Sequence, residues 1–225
     1  MGGLHKEATL KGEVYCDYDS ARAFLGEQEY PAYFIDFETI NLAIPRWAGT
    51  RPFQQVTFQF SVHVLNETGD LQHDEFLDLS GDDPREAFIR ELVGCCGNSG
   101  PVYVYNKGFE KGRIKELAAE YPEYSERLLT INDRIVDLLD ITRKYYYHPD
   151  QHGSWSIKAV LPTVAPELRY ENLEGVKDGG MAMDAFAEAI SPTVALARKE
   201  EIREQLLKYC ELDTLAMVKL WEYFR

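Results

Sequence analysis

The chain has 225 residues, 45% of them hydrophobic and 28% charged, the proportions of a globular domain with room for a substantial core. Its 38 acidic residues outnumber 24 basic ones, for a formal net charge of −14. That excludes a protein that coats duplex nucleic acid through a broad basic face, but not an enzyme that grips a few nucleotides in a metal-loaded cleft. No apolar run approaches the roughly 20 residues that span a bilayer, residues 1–6 lack the apolar core of a secretion signal, and the four cysteines show neither framework nor Cys-x-x-Cys spacing. No membrane association and a cytoplasmic setting are expected.

In chain order, residues 1–30 read as an N-terminal extension or the end of an upstream domain of a longer protein, with a turn at 16–20 and a short helix at 21–25. Residues 31–225 read as the main domain. Its first element is a buried strand, Tyr33-Phe34-Ile35-Asp36-Phe37-Glu38-Thr39, aromatic and β-branched in character. Period-two alternation puts Asp36 and Glu38 on one face, with Cβ atoms roughly 7 Å apart. Two anions that close beside a core repel each other and lose solvation, so the pair calls for a cation. The plain alternative is an edge strand with one wet face.

Strands at 56–65 and 73–77 follow, joined by a turn at 66–70 as a hairpin. Asp82-Asp83-Pro84 starts a helix running to 93. A strand at 102–105 ends on Asn106, a helix covers 111–120, a short strand 134–138 and a helical turn 141–147. Residues 148–182 are rich in Gly and Pro around a helical patch at 157–161. From 193 to 223, apolar residues recur at helical spacing in one long helix, with room for one break. A meander of three strands followed by helix–strand–helix units gives an α/β fold, a mixed sheet with helices on both sides.

More acids arrive late. Tyr209 and Asp213, four apart on the C-terminal helix, share one face. Asp213 is unwelcome in so apolar a helix unless paired or ligated; a solvent-facing Asp beside Glu211 is the plain alternative. In Asn106-Lys107-Gly108-Phe109-Glu110 a strand turns into a helix, and Glu110 at the helix start is favourable for capping alone.

Asp36-x-Glu38 on a first strand, Asn106-x-x-Phe109-Glu110 at a strand-to-helix turn and Tyr209-x-x-x-Asp213 on a late helix together resemble the three motifs of the DEDD exonuclease superfamily, the tyrosine placing the likeness in its DEDDy branch. Residues 153–161, Gly-Ser-Trp-Ser-Ile-Lys-Ala-Val-Leu, resemble the Ser-Leu-Lys-x-Leu helix between the second and third motifs of such enzymes. The whole also resembles a bacterial family of unknown function found attached to nuclease-like regions. The resemblance implies an RNase H-like five-stranded mixed sheet and removal of nucleotides from 3′ ends of DNA or RNA. Two divalent cations, Mg2+ or Mn2+, would be held by Asp36, Glu38, Glu110 and Asp213. Asp36 would bridge the ions and Tyr209 would orient the attacking water. Where the family carries Asp in its second motif this chain has Glu110, one methylene longer; Asp137 and Asp140 are substitutes.

For substrate grip, Asn106, Lys107, Lys111, Arg113 and Lys158 are the polar and cationic residues nearest the motifs, and Phe37 and Trp155 are candidates to stack on a terminal base; the plain alternatives are solvated cations and a Phe37 in the core. His148 and His152 read as loop histidines. The competing readings are a catalytically weakened RNase H-like module that binds nucleic acid or protein, an endonuclease of the PD-(D/E)xK type built on Pro149-Asp150, and a structural domain with unrelated surface acids.

Overall fold

A computed structural model describes residues 8–27 and 29–225. Five strands, β2 (Ala32–Ile40), β3 (Val56–Leu65), β4 (Leu71–Leu77), β5 (Val102–Val104) and β6 (Ile135–Asp137), form one sheet in the order β4-β3-β2-β5-β6. The β2–β3 and β3–β4 pairs are antiparallel, while β2–β5 and β5–β6 are parallel. This is the expected fold class: a meander, then parallel strands reached through helices.

Alternation along β2 divides the core. Tyr33, Ile35 and Phe37 enter one cluster with Phe60, Val62 and Phe88. That side is covered by α2 (Arg85–Cys95), α3 (Lys107–Glu120) and α4 (Ser125–Asp133). Phe34 and Ile40 enter clusters on the opposite side with Leu206, Met217 and Trp221 of the helix α8 (Leu196–Phe224). α8 runs 29 residues without a break, as a segment with no Gly or Pro should. On the same side lie α5 (Leu138–Tyr145), α6 (Ile157–Val164) and α7 (Gly179–Ala189).

The N-terminal stretch packs on this body. β1 (Tyr15–Cys16) pairs antiparallel with β7 (Tyr146–Tyr147), and α1 (Tyr18–Leu25) buries Ala21 and Leu25 against Trp221 and Phe224. Residues 1–7 and 28 of the expected N-terminal extension lie outside the described residues.

Candidate active site

β2 is the strand at which the sheet changes from antiparallel to parallel pairing, and such switch points open a crevice at the carboxyl ends of the strands. Just there the β2–β3 register slips between Glu38 and Thr39, a bulge of the kind that re-aims side chains beside a site. α8 crosses this end of the sheet and brings Asp213 to Asp36 and Glu38. One carboxylate oxygen from each of the three lies within 4.8 Å of the others. They line a cleft of about 360 Å³ together with Tyr105, Phe109, Ser156, Lys158 and Tyr209.

The electrostatics are those of crowded buried anions. Burial raises the Asp36 carboxyl well above its usual range, and Asp213, Glu38 and Glu110 add to the rise. Glu38 is pushed up to about 8 by burial first and Asp213 second, with Lys158 opposing. Asp213 reaches only about 6, because hydrogen bonds from Tyr170 and Tyr209 and the charge of Lys158 offset its burial. Glu110 is 2% exposed, is pushed up to about 8 by burial, and its Oε2 finds no hydrogen-bond partner among the described residues. It stands outside the group of three, yet near enough to act on Asp36. The donor set is all oxygen, the kind a hard dication takes. An orphaned fourth carboxylate oxygen fits the same ligand.

Glu110 does not start its helix, as the sequence suggests: α3 begins one turn earlier, at Lys107. Asn106 precedes it in the left-handed region, φ 97°, and is exposed. The turn is held by Asp137, which accepts from the backbone N–H of Asn106 (3.0 Å), Lys107 (2.9 Å) and Leu139 (2.9 Å). Asp137 therefore serves the β5–α3 turn, while Asp140 pairs with Lys107, and both substitutes for Glu110 are committed elsewhere.

Tyr209 is buried on α8. Burial and the three carboxylates push its phenol far above 10, so it keeps its proton and acts as a donor. Lys158 donates to the Lys177 carbonyl at 2.7 Å and stands 5.0 Å from the Tyr209 ring centroid and 5.3 Å from that of Tyr170. It lowers both Glu38 and Asp213. Lys111 lies half-buried on α3. Arg113 pairs with Glu116 at 3.0 Å. Trp155 is half-buried, its ring 6.0 Å from Tyr147 and its carbonyl accepting from the Tyr105 hydroxyl. Phe37 sits largely in the core, the plainer of its two expected places. Its ring is 3% exposed and packs edge-on against Phe88 at 5.1 Å. Phe37 also lines the cleft, but the alternation that aims Asp36 and Glu38 into it turns most of the Phe37 ring into the core.

Tyr170 was not foreseen. Its hydroxyl donates to Asp213 Oδ1 at 2.5 Å, from a short helical turn inside the Gly- and Pro-rich stretch, where no periodicity marks it. Cys210 is a second addition: its thiol lies 3.8 Å from the Asp36 carbonyl and 3.9 Å from its Oδ2. Asp178 is a third. It caps α7 by accepting from Met181 N–H at 2.8 Å, and it raises Glu38.

With this geometry the chain belongs to a family described as a domain of unknown function, DUF2779, whose model matches residues 33–156 and so includes Asp36, Glu38 and Glu110. It is 27% identical to the uncharacterized protein UU173 of Ureaplasma parvum serovar 3, over 92% of this chain and 33% of that protein. It is 29% identical to the uncharacterized protein MG366 of Mycoplasma genitalium, over 83% of this chain and 31% of that one. The chain thus spans about a third of the length of the curated relatives it matches. No solved structure matches it.

Proposed function

We propose that this chain is a metal-dependent 3′–5′ exonuclease domain of the DEDDy type, hydrolysing phosphodiesters at the 3′ ends of DNA or RNA. The observation that carries the reading is the meeting of Asp36, Glu38 and Asp213, from segments far apart in sequence, within 4.8 Å at the carboxyl end of the central strand. The parallel–antiparallel strand order supports the RNase H-like likeness. Asp36, Glu38 and Asp213 would hold Mg2+ or Mn2+, with Glu110 toward the second ion. Bound there, the dications would supply an activated water and offset charge at phosphorus.

The chain's own groups do the rest. Tyr209, locked in its protonated form, donates and orients the nucleophile. Tyr170 and Lys158 keep Asp213 ionisable near neutral pH. Ser156 and Ile157 of the α6 start form one cleft wall, and Asn106, Lys111 and Trp155, close to lining residues in sequence, are candidate contacts to the terminal nucleotide. Free thiols at all four cysteines suit a cytoplasmic setting, and the remaining two thirds of the relatives leave room for a further domain that delivers substrate.

A second reading rests on one observation: Glu110 is buried, its carboxyl held well above the usual range by that burial, and it stands outside the group of three. A weakened module that binds nucleic acid without cutting it would have that feature. Incubation with 3′- and 5′-labelled single-stranded DNA and RNA, in Mg2+, Mn2+ or EDTA, separates the two. The exonuclease reading expects metal-dependent shortening from the 3′ end, at least ~100-fold slower in Asp36→Asn. Intact oligonucleotides with measurable binding select the module, and cleavage that survives Asp36→Asn sinks the site.

A further inference from the structure

One strand further from β2, on the side of the sheet that α8 covers, lies a second constellation that the proposed nuclease site does not use. His63 on β3 and His73 on β4 are direct partners in the antiparallel ladder, with ring centroids 4.6 Å apart. Glu211 on α8 hangs over them, Oε1 3.9 Å from His73 Nδ1. One donor atom from each of the three side chains lies within 4.8 Å of the others.

The imidazoles are held from behind by buried hydroxyls. His63 Nδ1 is 2.8 Å from Thr214 Oγ1, Thr214 Oγ1 is 2.7 Å from Ser61 Oγ, and Ser61 Oγ is 2.9 Å from His73 Nε2. The network closes if His63 donates from Nδ1 to Thr214 and His73 from Nε2 to Ser61. Ser61 then donates to Thr214, and Thr214 to the Glu211 carbonyl at 3.1 Å. Every hydroxyl hydrogen is used, and Nε2 of His63 and Nδ1 of His73 keep their lone pairs. Fixing one ring nitrogen as a donor so that the other can ligate is how metal-binding imidazoles are oriented. Burial also holds His63 neutral, pushing its pKa down to about 4. Burial raises the carboxyl of Glu75, two residues beyond His73, with His73 opposing the rise and Glu211 adding to it.

We infer that His63, His73 and Glu211 form a binding site for a borderline dication of the zinc type, separate from the Asp36–Glu38–Asp213 cluster and chemically unlike it. Two imidazoles and a carboxylate with one open position are a zinc ligand set. Donors around a tetrahedral zinc with bonds of about 2.0–2.2 Å sit ~3.4 Å apart. The present separations, within 4.8 Å, therefore close by at most about 1.4 Å on loading. Glu211, its side chain 48% exposed, has the torsional freedom to do this. The ion would tie the β3–β4 hairpin to α8, the helix that carries Tyr209 and Asp213.

The test is a titration of tag-free Asp36→Asn protein with Co2+ in excess Mg2+, so that loss of the oxygen-ligand site, or failure of the nuclease reading, leaves it unaffected. One equivalent should bind, with visible absorption of low-coordinate N/O ligation, and Zn2+ should displace it. His73→Ala and Glu211→Gln, at partly exposed positions and checked for native circular dichroism, should each weaken binding at least ~10-fold. Zn2+ should raise the unfolding temperature of the parent more than that of His73→Ala at the same free Zn2+. Absence of binding, binding untouched by both substitutions, or an intense near-ultraviolet thiolate band placing the ion on cysteine would each overturn the inference.

Discussion

Asp213 is held by one ammonium and two phenols, and the strongest of these contacts is the 2.5 Å hydrogen bond donated by Tyr170. A hydrogen bond to a carboxylate stabilises its charged form, so this one lowers the Asp213 pKa. In Tyr170→Phe the pKa should rise above about 6. The change should be about one to two units, given the ~1.5–3 kcal/mol of a hydrogen bond to a charged group. A carboxylate must lose its proton to ligate. At subsaturating Mg2+ the acid limb of kcat/KM should therefore move to higher pH, with about five- to fiftyfold less activity at pH 6 and a much smaller loss at pH 9. An equal loss at every pH would mean that Tyr170 only packs. The same logic makes Lys158 a positioning residue: Lys158→Met removes a cation that lowers both Glu38 and Asp213 and should move the limb the same way.

Among the elements, the β5–α3 turn determines where Glu110 stands, and Asp137 determines the turn. Its Oδ1 accepts from Asn106 and Leu139 and its Oδ2 from Lys107. Asp137→Ala leaves three backbone donors without that partner and should destabilise the fold by about 2–4 kcal/mol in urea unfolding. Asp137→Asn keeps one acceptor oxygen and should fall between the two; equal loss in both variants would place the contribution in charge rather than in the bonds. Much of this architecture was legible beforehand. β2, β3 and α8 declare themselves because one face of each is continuously apolar, and the three motif acids follow from the periods of strand and helix. Phe37 was legible too, since the alternation that aligns the acids turns it away from them. α7 was harder to read because it opens with Gly179-Gly180, poor helix formers, although Asp178 as cap and Ala182, Phe186 and Ala189 at helical spacing were the available signals. The hydrogen bonds of Tyr170 and Asp137 join residues 43 and 30 or more positions apart, and no local pattern encodes such a meeting.

For the molecule as a whole, the acid cluster makes stability a function of pH and of metal together. Glu38 and Glu110 ionise near 4.5 in an unfolded chain and near 8 in the fold. Between those values the folded state holds protons that the unfolded state has released, so unfolding becomes easier as pH rises. The stabilisation from the retained protons is complete below about pH 4.5 and is lost as pH climbs through 8. Each such proton contributes a slope of up to ~1.4 kcal/mol per pH unit, and 1 kcal/mol moves the midpoint of a domain this size by about 2–4 °C. In EDTA these two groups should therefore lower the unfolding temperature by roughly 10–20 °C between pH 5.5 and 7.5. Glu110→Gln, which has no proton to release, should flatten that drop by roughly one group's share. A dication at the cluster stabilises the deprotonated form that burial disfavours. Mn2+ should thus raise the midpoint strongly at pH 8 and hardly at pH 5, and Asp36→Asn should blunt the rise. Calorimetry of the three proteins across this window distinguishes a dry, metal-demanding cluster from a hydrated one. In the hydrated case the wild type and Glu110→Gln would run parallel, and the Mn2+ effect would not depend on pH.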